Sequence, residues 1–174
     1  MKRGAAFILA GCAAVLCAQT PDPWAGLRVL EGKWEGAANG QPGKGVSTRE
    51  YRFDLRGRFL TARNRSVYEP KSADAKPEVH EDFGVFSYDR AAKRIVLRQF
   101  HVEGFVNEYT AAVPPADAQT FEFVTVRIEN IPEGWRAREA YRIVSHDEVV
   151  ETFWLAEPGK DFEMYSETRL KRAK

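Results

Sequence analysis

Along most of this chain apolar and polar residues alternate with a period of two, the pattern of strands that bury one face. Such runs occupy residues 33–38, 46–55, 58–68, 81–88, 94–102, 105–112, 120–128, 135–144, 148–156 and 162–171. Turn material separates them: Arg56-Gly57, residues 89–93, Glu103-Gly104, Pro114-Pro115, Pro132-Glu133-Gly134 and Pro158-Gly159-Lys160. Ahead of the first strand, Asp22 can cap a short helix and Pro23 suits its first position. Trp24, Leu27 and Leu30 share one face of that helix, and Gly32 stops it. Parallel strands would need long crossovers, and none is present. The pattern therefore predicts an all-β fold, an up-and-down antiparallel meander β-barrel of about ten strands with a short N-terminal helix. Closing the sheet removes the edges that would otherwise invite aggregation. Residues 71–76 read as a polar loop.

The alternation also says what lines the interior. In the last strands one face carries Trp135, Ala137, Tyr141 and Ile143, then Val149, Phe153 and Leu155, then Phe162, Met164 and Leu170. Period two inserts Glu139, Glu151, Ser166 and Thr168 into those faces. Upstream, Phe121 and Phe123 share a face with Thr125 and Arg127, and Phe105 and Tyr109 share one with Asn107. On residues 94–102, Arg98 lies with Val96 and Phe100, and Gln99 and His101 lie with Ile95 and Leu97. Unpaired polar groups are costly in a dry core, so this mixture predicts a cavity that holds water or a small hydrophobic or amphipathic molecule. A barrel of this width either fills with side chains or holds one small ligand.

Charge sharpens the picture. The 26 Lys and Arg against 25 Asp and Glu give a formal +1, without the basic excess of a nucleic-acid binder. Met1-Lys2-Arg3 precedes an uncharged run, residues 4–18, that is too short for a membrane helix of about 20 residues. With the Pro-rich stretch that follows, this reads as a signal peptide over residues 1–18, ahead of one domain at 19–174. The expected location is periplasmic or secreted, with no transmembrane segment in the mature chain. Leu9-Ala10-Gly11-Cys12 offers the alternative of a lipoprotein anchored through Cys12. Cleavage after Ala18 removes Cys12 and Cys17, and loss of Lys2 and Arg3 leaves 24 basic residues against 25 acidic. Thiol chemistry then drops out.

The opening motif Leu27-x-x-Leu30-x-Gly32-x-Trp34-x-Gly36 resembles that of nitrobindin-like proteins, haem-binding barrels related to fatty-acid-binding proteins and lipocalins, the calycins. The likeness continues through Ser47-Thr48, residues 50–53, Gly57 ahead of Phe59-Leu60, Pro77 to Gly84, and residues 162–172. Residues 98–109 resemble a block found in uncharacterised secreted bacterial members of the group. The resemblance implies a calycin-like barrel and an interior ligand. It also implies haem as an alternative ligand: nitrobindins bind the iron through a His on the last strand, and the terminal match puts Tyr165 there. His101 and His80 are other conceivable iron ligands. With Trp34 and Tyr165 added, the candidate ligand-binding set is Trp34, Arg98, His101, Asn107, Arg127, Glu139, Glu151 and Tyr165.

Catalytic signatures are sparse. There is no Gly-x-Ser-x-Gly elbow. Ser145-His146-Asp147-Glu148 sits in a predicted turn, where neighbouring residues do not converge on one atom. Residues 40–45 look like a phosphate loop but lack the Ser or Thr after Lys44, and read as the first hairpin. Interior carboxylates, Glu139 and Glu151, with His101, are the groups an acid–base enzyme would use. No metal or resident cofactor is called for.

Overall fold

All ten alternating stretches form strands. The computed structural model describes residues 22–174; the leader-like segment with Cys12 and Cys17 lies outside them. A 3-10 turn, Ala25–Leu30, leads into β1 (Gly32–Gly40), β2 (Gly43–Asp54), β3 (Phe59–Tyr68), β4 (Glu78–Asp89) and β5 (Arg94–His101). β6 (Val106–Ala112), β7 (Thr120–Glu129), β8 (Arg136–Ser145), β9 (Glu148–Ala156) and β10 (Glu163–Arg172) complete the sheet. Consecutive strands pair antiparallel, and β1 pairs with β10 to close the barrel. The glycine-rich segment at 40–45 is the β1–β2 hairpin, Gly40 facing Gly43, with Gly43 at a φ of +115° that an L side chain rarely adopts.

The helical turn closes one end. Its Leu27 and Leu30 are fully buried with Leu60, Ile95, Leu97, Phe121 and Phe123. Each such leucine contributes about 1.5–3 kcal/mol by leaving water. The Asp22 carboxylate accepts from the Trp24 N–H at 3.1 Å just ahead of the turn, whose N-cap is Trp24 itself, so the expected Asp22 cap is displaced by two residues. The Gly-x-Trp-x-Gly pattern has a mechanical meaning here. The Trp34 indole N–H donates to the Leu30 carbonyl at 2.7 Å, tying β1 to the turn. At Gly36 a β-carbon would stand 1.8 Å from the Arg169 carbonyl oxygen, so only glycine lets β1 and β10 approach this closely. Arg172, at the end of β10, lies 4.2 Å over the Trp34 ring and donates to the Glu31, Val29 and His146 carbonyls.

Three register shifts decide which residues face inward. On β7, Glu108 pairs with Arg127 but Tyr109 pairs with Thr125, so Val126 is an extra residue. The bulge flips the phase of everything after it and turns Arg127 outward. On β10, Met164 pairs with Trp154 and Ser166 with Phe153, which makes Tyr165 the extra residue and turns Met164 out. A third shift falls between Ile143 and Ser145 on β8.

Candidate functional site

The inward positions form layers. Next to the helical turn the filling is apolar and aromatic: Leu60, Phe86, Ile95, Leu97, Phe121 and Phe123. Above it lies a polar layer of Ser47 and Arg49 from β2, Asn64 and Ser66 from β3, Asp82 from β4 and Gln99 from β5. Asn107 from β6, Glu139 from β8, Glu151 from β9 and Thr168 from β10 complete it. At the end opposite the helical turn, the odd-numbered hairpins gather around a mouth. His80, His101, Phe105, Phe153 and Tyr165 are half-buried there, beside buried Tyr68.

An ion pair anchors the polar layer. Arg49 donates to both Glu151 oxygens, at 3.2 and 2.9 Å, and to the Ser66 hydroxyl at 3.2 Å. Its Nη1 also reaches the Thr48 carbonyl at 3.1 Å. Burial opposes the Arg49 charge, but the contact with Glu151 outweighs it. The Asn64 and Gln99 amides both donate to one Asp82 oxygen, at 2.7 and 2.9 Å. Burial nonetheless lifts the Asp82 pKa to about 6, against the pull of Arg49 and those two amides. Glu139 accepts the Tyr141 hydroxyl. Burial, and then the neighbouring Glu151, raise the Glu139 pKa to about 8, so at neutral pH this carboxyl holds its proton. The Asn107 amide donates to the Tyr109 hydroxyl at 2.8 Å and lies 3.3 Å from His101 Nε2. Burial lowers His101 to about 4, keeping it neutral.

Four buried polar atoms in this layer or beside it have no partner: the hydroxyl of the core residue Tyr51, and Asn64 Oδ1, Asn107 Oδ1 and Glu139 Oε2 of the layer. Their residues are only 2, 7, 1 and 3 % exposed. A buried polar atom left unpaired costs about 1–3 kcal/mol, so such atoms mark a place for water or a bound molecule.

Of the candidate residues, Asn107, Glu139 and Glu151 share the polar layer, and His101 and Tyr165 stand at its mouth. Trp34 is inward too, but it is packed under Arg172 in the closed end. Arg98 and Arg127 correct the expectation of an inward-facing set. Their side chains are 44 and 67 % exposed and pair with Glu129 on the outer wall. β5 buries the Ile95-Leu97-Gln99 face instead of the Arg98 face, and the bulge at Val126 reverses Arg127. Sequence reasoning missed Arg49, Asn64 and Asp82. On β4 the face opposite Asp82 carries Val79, Phe83 and Val85 and looks equally apolar, so alternation gave no sign of it. Arg49 and Glu151 are 102 residues apart, and only the closed sheet brings them together.

The iron ligands implied by the nitrobindin resemblance do not fit. His80 has one ring nitrogen on Glu103 and the other on Glu78, at 2.7 and 2.8 Å. His101 is stacked 4.0 Å from the Phe105 ring, with Nε2 on Asn107. Burial raises the Tyr165 phenol pKa, which disfavours the tyrosinate that iron needs, and the ring packs against Phe153. Among the described residues no cluster of His, Cys, Asp or Glu is arranged to hold a metal ion. Ser145 to Glu148 form the exposed β8–β9 turn, with His146 bonded to Asp147, and converge on no catalytic centre.

Two open grooves of about 460 and 500 Å³ flank β1–β3; the first runs along the rim to Tyr68 at the mouth.

No protein-family model and no curated protein matches this chain. Among solved structures, that of Rv2717c from M. tuberculosis superposes with a TM-score of 0.67, covering 88 % of this chain and 99 % of that one at 18 % identity. The likeness is one of fold. The closed antiparallel meander barrel of ten strands expected from the alternation is the architecture this chain adopts.

Proposed function

We propose that this protein is an exported binding protein that takes one small amphipathic molecule through the mouth and holds its polar end on the buried polar layer. The observation that carries this reading is the set of four unpartnered polar atoms on residues more than nine-tenths buried. A packed core excludes such atoms, and a polar-ended ligand would pair them. The aromatic residues at the mouth, Phe105, Phe153 and Tyr165, supply the apolar contact for the rest of the molecule. Export rests on the leader-like residues 1–18, and the intact mass of the secreted or periplasmic form tests it: loss of those residues is expected, whereas a lipid adduct on Cys12 would replace the soluble reading with an anchored one.

Native mass spectrometry of the purified protein, together with titration by the neutral polarity-sensitive dye Nile red, tests binding. The expected result is a one-to-one adduct, or a blue-shifted dye emission that saturates at one equivalent. A bare chain mass with no change in dye emission would remove the reading.

A further inference from the structure

The polar layer is lopsided in its chemistry. Three carboxyl groups face inward, Glu139 and Glu151, both buried, and Asp82, held by the inward Asn64 and Gln99 amides, against one guanidinium, Arg49. That guanidinium is already committed to both oxygens of Glu151, to Ser66 and to the Thr48 carbonyl. Asn64 Oδ1 cannot become a donor by rotation, because Asn64 Nδ2 is held by the Asp82 carboxylate, which only accepts. Asn107 is adaptable, since the Tyr109 hydroxyl can donate as well as accept and the amide can turn either atom inward. What the layer offers an incoming cation is therefore Asn64 Oδ1, joined by Asn107 Oδ1 and, once its proton leaves, by Glu139 Oε2. An anionic head group would meet two further carboxyls and no free cation.

Resting on the binding reading above, we propose that the polar layer selects a ligand whose buried end is an organic ammonium, a primary or secondary amine in its protonated form. An ammonium supplies two or three N–H donors and one positive charge in a compact group, which answers both the orphaned acceptors and the surplus of carboxyls. A metal ion would answer the charge as well, but the described residues do not bring these carboxyls together at ligating geometry. The raised pKa values of Asp82 and Glu139 fit the same picture: in the empty barrel protons relieve the crowding that a bound cation would relieve. The apolar part of the ligand would extend past Phe153 and Tyr165 toward the mouth.

Isothermal titration of the full mature chain at neutral pH with octylamine, octanol and octanoate tests this, because the three share one alkyl chain and differ in head group. Octylamine is expected to bind at least ten-fold more tightly than the other two. In Glu139→Gln and Asp82→Asn, each close in shape to the original, that preference should fall several-fold while octanol affinity holds. Equal or tighter binding of octanol or octanoate would overturn the ammonium assignment and leave the binding reading standing. So would a copurified ligand that lacks a basic nitrogen, or a preference unchanged in both variants. Failure of all three to bind would bring down the ammonium assignment; with a bare native mass and a silent dye, the binding reading falls too.

Discussion

Replacing Glu151 by Gln probes the centre of the polar layer. The change keeps the shape of the side chain and leaves the Arg49 guanidinium buried without its counter-charge. Arg49 retains the Ser66 hydroxyl and the Thr48 carbonyl, at 3.2 and 3.1 Å, but its Nε and Nη2 lose the carboxylate. Breaking a buried pair from one side costs about 3–5 kcal/mol, because an uncompensated charge stays behind. The two neighbouring carboxyls modulate that cost. Glu151 is one of the charges that raise Asp82 and Glu139, so its removal lets them ionise more readily and stand in for it. The loss should then be near 3 kcal/mol at pH 8 and nearer 5 at pH 5, roughly, where the neighbours hold their protons. Urea unfolding followed by the fluorescence of the buried Trp24 and Trp34 measures it. The double variant Arg49→Met, Glu151→Leu should recover most of the loss, since an apolar pair of similar volume removes both charges together. A loss below about 1 kcal/mol at both pH values, or a double variant no better than the single one, would refute this account of the layer.

The remaining predictions concern pH, packing and the outer wall. Asp82 and Glu139 have folded pKa values near 6 and 8, above their ordinary 3.8 and 4.5, so their contribution to stability is full in acid and is lost as pH rises through 6 and 8. His101 works in the opposite sense: its folded value near 4 lies below the ordinary 6.5, so its contribution is present above 6.5 and lost as pH falls toward 4. Unfolding at pH 5, 7 and 9 should show Glu139→Gln gaining on the parent progressively as pH rises, with most of the gain between the ordinary value of 4.5 and the folded value near 8, and an offset that is the same at every pH would count against the assignment. Gly36→Ala should cost at least about 1–3 kcal/mol, since the new methyl would stand 1.8 Å from a backbone oxygen that cannot rotate away; an unchanged urea midpoint would show that β1 and β10 have slack. Arg98→Ala and Arg127→Ala should each shift stability by less than about 1 kcal/mol and leave Nile red binding unchanged, as exposed pairs with Glu129 do little; loss of binding would return them to the site.

The fold was legible because its determinants are local. Every strand announced itself by alternation bounded by Gly, Pro or Asp turns, and Trp24, Leu27 and Leu30 share the buried face their spacing implies. The site was legible in part. Asn107, Glu139 and Glu151 interrupt faces that are otherwise strongly apolar, and such interruptions stand out. Arg127 and Met164 went to the wrong face because a bulge adds one residue and reverses the phase of a period-two pattern, with no mark in the residues themselves. Asp82 stayed hidden because the two faces of β4 are equally mixed. The Arg49–Glu151 pair depends on closure of the sheet across 102 residues, which no local pattern encodes.

The side-chain amide resonances of Asn64, Gln99 and Asn107 report directly on whether a molecule enters the polar layer. On addition of octylamine to the isotopically labelled protein, these three should shift together and saturate at one equivalent, since all three side chains belong to the buried polar layer proposed to hold the head group. Shifts confined to the rim groove at Val46 and Val67, with the three amides unmoved, would contradict the claim that this barrel binds its ligand inside.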